Sequence, residues 1–344
     1  MSEAFSMSLT SVRPLASLKP VVIAALIFAC GGISGPAVQA EGQRPETSEE
    51  CVRYPLPDQV LRHPMTFAGE VVPLQRPDVR ARIRFQINFL LFDARSVVTE
   101  WLTERGRYAW IFEEVFAKEG IPADFVLLSP VLSGLPKNGT RAPGIGPWML
   151  EKPCIAADGL TMSDDTWHDD RLDLDLSTRC FASRLKAARK EVGGSWLMAA
   201  AAYMTTQKTI QDLKERWNTG SFWDLPPIDG AEDLIVRWIA LGIINAHRDL
   251  YGLTFKAQPP LTFDQITDLV LTKDLTVAEL ARLTEVPSRE ILELNPKIRV
   301  SVAAFPANAN GKPLVHSIAA PKGKGWVLVE KLKNAGYLAE AAKK

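Results

Sequence analysis

From position 83 to 101 the apolar residues Ile83, Ile87, Leu90, Leu91, Ala94, Val98 and Trp101 recur at three- and four-residue intervals. That is the spacing of one buried face of a long α-helix. Ile111, Val115 and Phe116 predict a second helix, and further helical stretches follow at Pro122 to Leu132, Thr178 to Glu191, Ser195 to Met204, Thr209 to Trp217 and Ala231 to Tyr251. No alternating run of comparable length competes with them, so residues 75–255 read as an all-α domain. The Pro-containing stretch Lys256 to Leu261 separates a smaller unit over 262–334 and a Lys-containing tail over 335–344. With 344 residues the chain has room for about two domains. Its 40 Lys and Arg balance 40 Asp and Glu, which excludes a basic nucleic-acid binder, and its 47% apolar content excludes a disordered chain.

Residues 1–40 have the layout of an export signal. Arg13 and Lys19 precede the apolar run Val21 to Phe28, and the small Val38 and Ala40 lie three and one residues before a cleavage point at Glu41. Cys30 offers a second route, as the lipid-bearing cysteine of a bacterial lipoprotein. Residues 41–74, rich in Pro and polar side chains, read as an extended leader. Export puts Cys51, Cys154 and Cys180 in an oxidising compartment. There Cys154 and Cys180 are either a bridge or two buried thiols.

Four pieces of the helical region then occur in a telling order. Ile121-Pro122-Ala123-Asp124-Phe125-Val126-Leu127-Leu128 is followed by Gly146-Pro147-Trp148, then Asp169-Asp170-Arg171, then Ala201-Ala202-Tyr203. Together they resemble the "LP-E-L-LL", "GPWQ", "DERR" and "AAYN-GEG" motifs of the membrane-bound D type of lytic transglycosylases. The resemblance covers about Leu74 to Leu253. It implies a lysozyme-like helical fold that handles the glycan strand of peptidoglycan without a metal or other cofactor. It places substrate contacts at Ser133, Gly146, Trp148, Met149, Tyr203 and Met204.

The departures fall on the chemistry. Read without gaps from Ile121, the family's catalytic Glu-Ser pair lands on Leu132-Ser133, so the acid is replaced by leucine. The Gln of "GPWQ" is Met149, the Asn after "AAY" is Met204, and "GEG" is Thr206-Gln207-Lys208. Such an enzyme resembles a glycosidase working with one principal carboxyl group, which protonates the leaving oxygen and then assists ring closure. General acid-base help supplies a factor of about 10² to 10⁴, and leucine carries no proton. The expectation is therefore a pseudoenzyme. Leu132, Met149 and Met204 either fill the core or line an apolar pocket. Trp148 and Tyr203 either stack on sugar rings or pack inside. A replacement acid would have to come from Glu151 or from the run Asp164, Asp165, Asp169, Asp170, Asp173 and Asp175, which also suits helix capping. His168 beside Trp167 lacks metal-ligand spacing.

The C-terminal unit carries a second pattern. Lys273-Asp274-Leu275-Thr276-Val277-Ala278-Glu279-Leu280-Ala281, Val286-Pro287-Ser288 and Leu292-Glu293-Leu294-Asn295-Pro296 resemble the "GDTL-IA…GVS…L-LNP" signature of a LysM peptidoglycan-binding module. The resemblance implies a βααβ unit, with strands from Leu269 to Leu271 and Leu314 to Ile318, that either holds glycan or serves as a structural cap. The expected partners are peptidoglycan glycan strands or wall-remodelling proteins, in the periplasm or at the outer membrane.

Overall fold

The computed structural model describes residues 54–134, 140–141, 144–152, 154, 162–228 and 230–338. The stretch read as an export signal, Cys30, Cys51 and the last residues of the tail lie outside them. The first described elements are α1 (Asp58–Arg62) and the hairpin of β1 (Met65–Phe67) and β2 (Glu70–Val72). The stretch read as an extended leader thus carries structure. The hairpin turns through Ala68 and Gly69, both at positive φ, as a tight two-residue turn requires. Alanine gives no hint of such a turn in the sequence, and three-residue strands are too short to show alternation. Phe67 of β1 is buried edge-on against Trp238, with ring centroids 4.8 Å apart.

The long helix expected from Ile83 to Trp101 is two helices. Helix α2 (Pro77–Asn88), with Pro at its first turn, runs into a π-helical turn at Phe89–Asp93, and α3 (Arg95–Glu119) follows. In the turn, the Ala94 amide donates to the Phe89 carbonyl five residues back. The extra residue keeps Leu90 and Leu91 in the core and turns Phe92 to solvent. Helix α3 therefore takes in Trp101 together with Ile111, Val115 and Phe116, and ends at Gly120 in the left-handed region.

A 3-10 turn (Ala123–Leu127) leads into α4 (Leu128–Ser133), then the short pair β3 (Thr140–Arg141) and β4 (Gly144–Ile145). Helices α5 (Leu174–Glu191), α6 (Trp196–Met204) and α7 (Gln207–Trp217) are each started by a side-chain cap, from Asp173, Ser195 and Thr206 respectively. Helix α8 (Ala231–Ala246) packs on α2 and ends earlier than Tyr251. A disulfide joins Cys154 to Cys180 of α5. Among the described residues the chain is mainly helical, and no helix is long and apolar enough to cross a membrane.

The C-terminal part continues with β5 (Phe263–Val270), β6 (Leu275–Thr276), α9 (Val277–Thr284), α10 (Ser288–Leu294), β7 (Ala304–Phe305), the hairpin β8 (Asn308–Ala309) and β9 (Lys312–Pro313), β10 (Val315–Pro321) and α11 (Gly325–Asn334). Strands β5 and β10 pair antiparallel, from Val315 opposite Val270 to Pro321 opposite Phe263. Two helices lie between paired strands, as expected, but the strands are longer than the apolar runs that announced them, and α11 adds a third helix. Leu328 and Leu332 of α11 are buried with Leu280 of α9 and Ile318 of β10 in a second hydrophobic cluster.

That cluster is bolted to the helical one. The stretch read as a separator runs along α3, with the amides of Gln258 and Leu261 donating to the carbonyls of Thr103 and Arg107, each at 2.9 Å. Leu294 and Ala319 belong to the helical core, while Trp167 packs into the C-terminal cluster. Residues 54–338 are one compact unit in consequence, because each core is completed by side chains from the other stretch of chain.

Candidate functional site

The turn Gly146-Pro147-Trp148-Met149 draws together three motif pieces, its own, Asp169-Asp170-Arg171 and Ala201-Ala202-Tyr203, along with Ser129, which follows the first piece in the chain. Ser129 of α4 donates its hydroxyl to the Pro147 carbonyl at 3.1 Å, and Tyr203 of α6 donates to the Trp148 carbonyl at 2.6 Å. Burial raises the Tyr203 phenol, which keeps it protonated and able to donate. Gly146 sits at φ +78°, and a Cβ there would lie 2.0 Å from the Arg171 carbonyl oxygen. Only glycine lets the two strands of chain approach so closely. On the other side Arg171 donates from Nη1 to the Glu151 carbonyl at 2.8 Å.

Arg171 is held in turn by acids. Asp169, almost fully buried, accepts from its Nε and Nη2 at 2.9 and 2.7 Å, and Asp164 accepts from Nη2 at 2.8 Å. The Asp169 bond holds the guanidinium above its ordinary pKa against the opposing effect of burial. A buried guanidinium paired this way is a structural strut. Burial opposes ionisation of Asp170, but the nearby His168 ring and the hydrogen bond from the Ser163 amide keep its carboxyl below the usual range. Asp173 caps α5. Burial pushes Asp175 up against the pull of Arg179. The acidic run is occupied with pairing and capping, and Glu151, beside the turn, is exposed.

The predicted contact residues separate into two groups. Met149 and Tyr203 line one open cleft of about 420 Å³ with Glu151, Arg184 and Gln207. Trp148 lies outside that lining, because it is fully buried: its ring stacks on Phe181 at 4.2 Å and 14°, and its Nε1 donates to Thr178 Oγ1 at 2.8 Å. Stacking on a sugar is excluded for it, and core packing is its role. Gly146 opens the same turn and lets it lie against the Arg171 backbone. Ser133 is buried and returns its hydroxyl to the Ser129 carbonyl at 3.0 Å. Leu132 and Met204 are half-buried against the helical core. His168 is buried, with its Nε2 2.7 Å from Ser163 Oγ.

Two contributors had no motif to announce them. Glu70, in the stretch read as leader, accepts from Ser195 Oγ at 2.9 Å and from the Leu197 amide at 3.0 Å, and also from the Trp196 amide, at the start of the helix that carries Tyr203. Trp167 belongs to a strip fastened to the C-terminal unit. There the Arg299 amide donates to the Trp167 carbonyl, the Asp169 amide donates to the Lys297 carbonyl, and Arg299 pairs with Asp164. Only the Ser195 cap signal hints at the first, and nothing local hints at the second.

No family model matches the chain, and no curated protein matches it.

Proposed function

We propose that this chain is a cell-envelope protein that binds the glycan of peptidoglycan, built on a transglycosylase-like helical unit that has lost its acid. The observation that carries the reading is the meeting of three motif segments at the Gly146–Met149 turn, beside Ser129 at the end of the fourth, while the position matching the acid is Leu132, half-buried in apolar packing. A shared set of contacts around one turn is what a common ancestor site would leave behind. The loss of a proton-carrying side chain there removes the step that such a site would perform. The engagement of Asp164 and Asp169 with Arg171, and of Asp173 with the start of α5, supports the same reading.

The C-terminal βααβ arrangement, with α9 and α10 between β5 and β10, supports glycan as the ligand by its likeness in layout to a LysM module. The N-terminal 40 residues support an address in the periplasm or at the outer membrane, with Cys30 as an anchor if lipidated, and wall-remodelling proteins as further partners. The test uses the full chain and isolated peptidoglycan sacculi. The protein should pellet with sacculi and release no anhydro-muropeptides above a heat-treated control, and Leu132→Glu should not start turnover. Steady release that disappears in Glu151→Ala or Asp175→Ala would overturn the pseudoenzyme reading. Failure of the parent to pellet would overturn glycan binding.

A further inference from the structure

A second cavity lies apart from the transglycosylase-like cleft, a furrow of about 470 Å³ where α3 faces α10 across the joint between the two cores. Helix α3 presents Glu104, Arg107 and Tyr108 to it, and α10 presents Arg289, Leu292 and Glu293, so each helix lines it with one i, i+3, i+4 face. Arg107 Nη2 pairs with Glu293 Oε1 at 2.6 Å, and Tyr108 donates to the same oxygen at 3.4 Å.

We propose that this furrow is a binding site for a neutral, hydroxyl-rich oligosaccharide, so that glycan is held at the joint of the molecule. The lining narrows the ligand by its charges. Two guanidinium groups stand against two carboxylates, Glu104 and Glu293, so an anion meets two acids and a cation meets two bases. A hydroxyl group satisfies both kinds of wall, accepting from arginine and donating to glutamate. Leu174, Leu292 and Pro296 add an apolar side suited to the C–H faces of a sugar ring, and the volume falls in the range of small-ligand sites. The proposal rests on the glycan reading above and gives that ligand a place which neither motif pattern marks. Because α3 and α10 come from the two cores, a sugar bridging them also fastens one to the other.

The experiment titrates full-length protein with the tetramer of N-acetylglucosamine by calorimetry, alongside pelleting with sacculi. Leu292→Trp fills the furrow, and Arg289→Ala removes an exposed donor with little risk to folding. Thermal midpoints identify which variants are folded. Both folded variants should bind the tetramer at least ten-fold more weakly than the parent, while Gln207→Ala, in the Met149–Tyr203 cleft, should bind like the parent. Parent-like affinity in Arg289→Ala and a folded Leu292→Trp, or no tetramer binding by the parent, would overturn the furrow. If the parent binds the tetramer through the furrow but does not pellet with sacculi, the furrow stands as a sugar site and the peptidoglycan reading falls.

Discussion

Gly146 and Trp148 illustrate how a motif residue can matter without touching a ligand. Trp148 is surrounded by Phe112, Phe116 and Phe181, and its indole nitrogen is satisfied inside the protein. It holds the turn in place and leaves the cleft to Met149 and Tyr203. Gly146 allows the turn to lie against the Arg171 backbone. Gly146→Ala should therefore destabilise the fold by about 1–3 kcal/mol, through a positive φ and a collision with a carbonyl that has nowhere to move. Gly69→Ala is the matching control, since Gly69 also has positive φ but open space around its Cβ position. Urea unfolding of the two variants should show the larger loss at position 146. Equal losses would mean that the contact with Arg171 is not tight in solution.

Among the elements, α6 depends most visibly on a distant residue. Its first turn exposes amides that no intrahelical carbonyl accepts, and Ser195 and Glu70 share them. The Glu70 carboxylate also sits at the positive end of the helix dipole. Glu70→Ala should cost about 1–3 kcal/mol in urea unfolding, the scale of a lost cap plus charge-assisted hydrogen bonds. Glu70→Gln should recover part of it, because the amide oxygen still accepts. A change below about 0.5 kcal/mol in Glu70→Ala would show that Ser195 alone caps the helix. The hairpin that carries Glu70 is thus part of the helical unit, although its own sequence reads as polar connection.

For the whole molecule, the joint between the cores is also where a histidine is trapped. His316 is buried against the rings of Trp167 and Phe305, near Lys297 and His168, and its Nε2–H donates to the Pro306 carbonyl at 2.7 Å. Burial lowers its pKa, with the Pro306 bond opposing that shift. An unfolded histidine titrates near about 6.5, so the unfolded state takes up a proton first as pH falls. Stability is complete above that value and is lost as pH drops toward the lower folded value. The thermal midpoint should therefore fall between pH 7 and pH 5. His316→Gln, which keeps the bond to Pro306 without the charge, should flatten that fall. An identical slope in parent and variant would place the titration elsewhere. Asp170, held below the usual carboxylate range, contributes its own loss only at more acid pH.

Local periodicity was sufficient for the helical class and for most helix positions, because a buried face repeats every three to four residues wherever the core is. The choice of Cys154 and Cys180 as partners for a bridge was likewise legible. Several features were settled only by packing. The π-turn at Phe89–Asp93 depends on where two helices meet the core. The burial of Trp148 depends on Phe181, 33 positions away in the chain, and the furrow exists only because α3 and α10 face one another. Side-chain type and spacing report which face of an element is apolar. They do not report what that face meets, and the roles of Trp148, Glu70 and Arg107 were decided there.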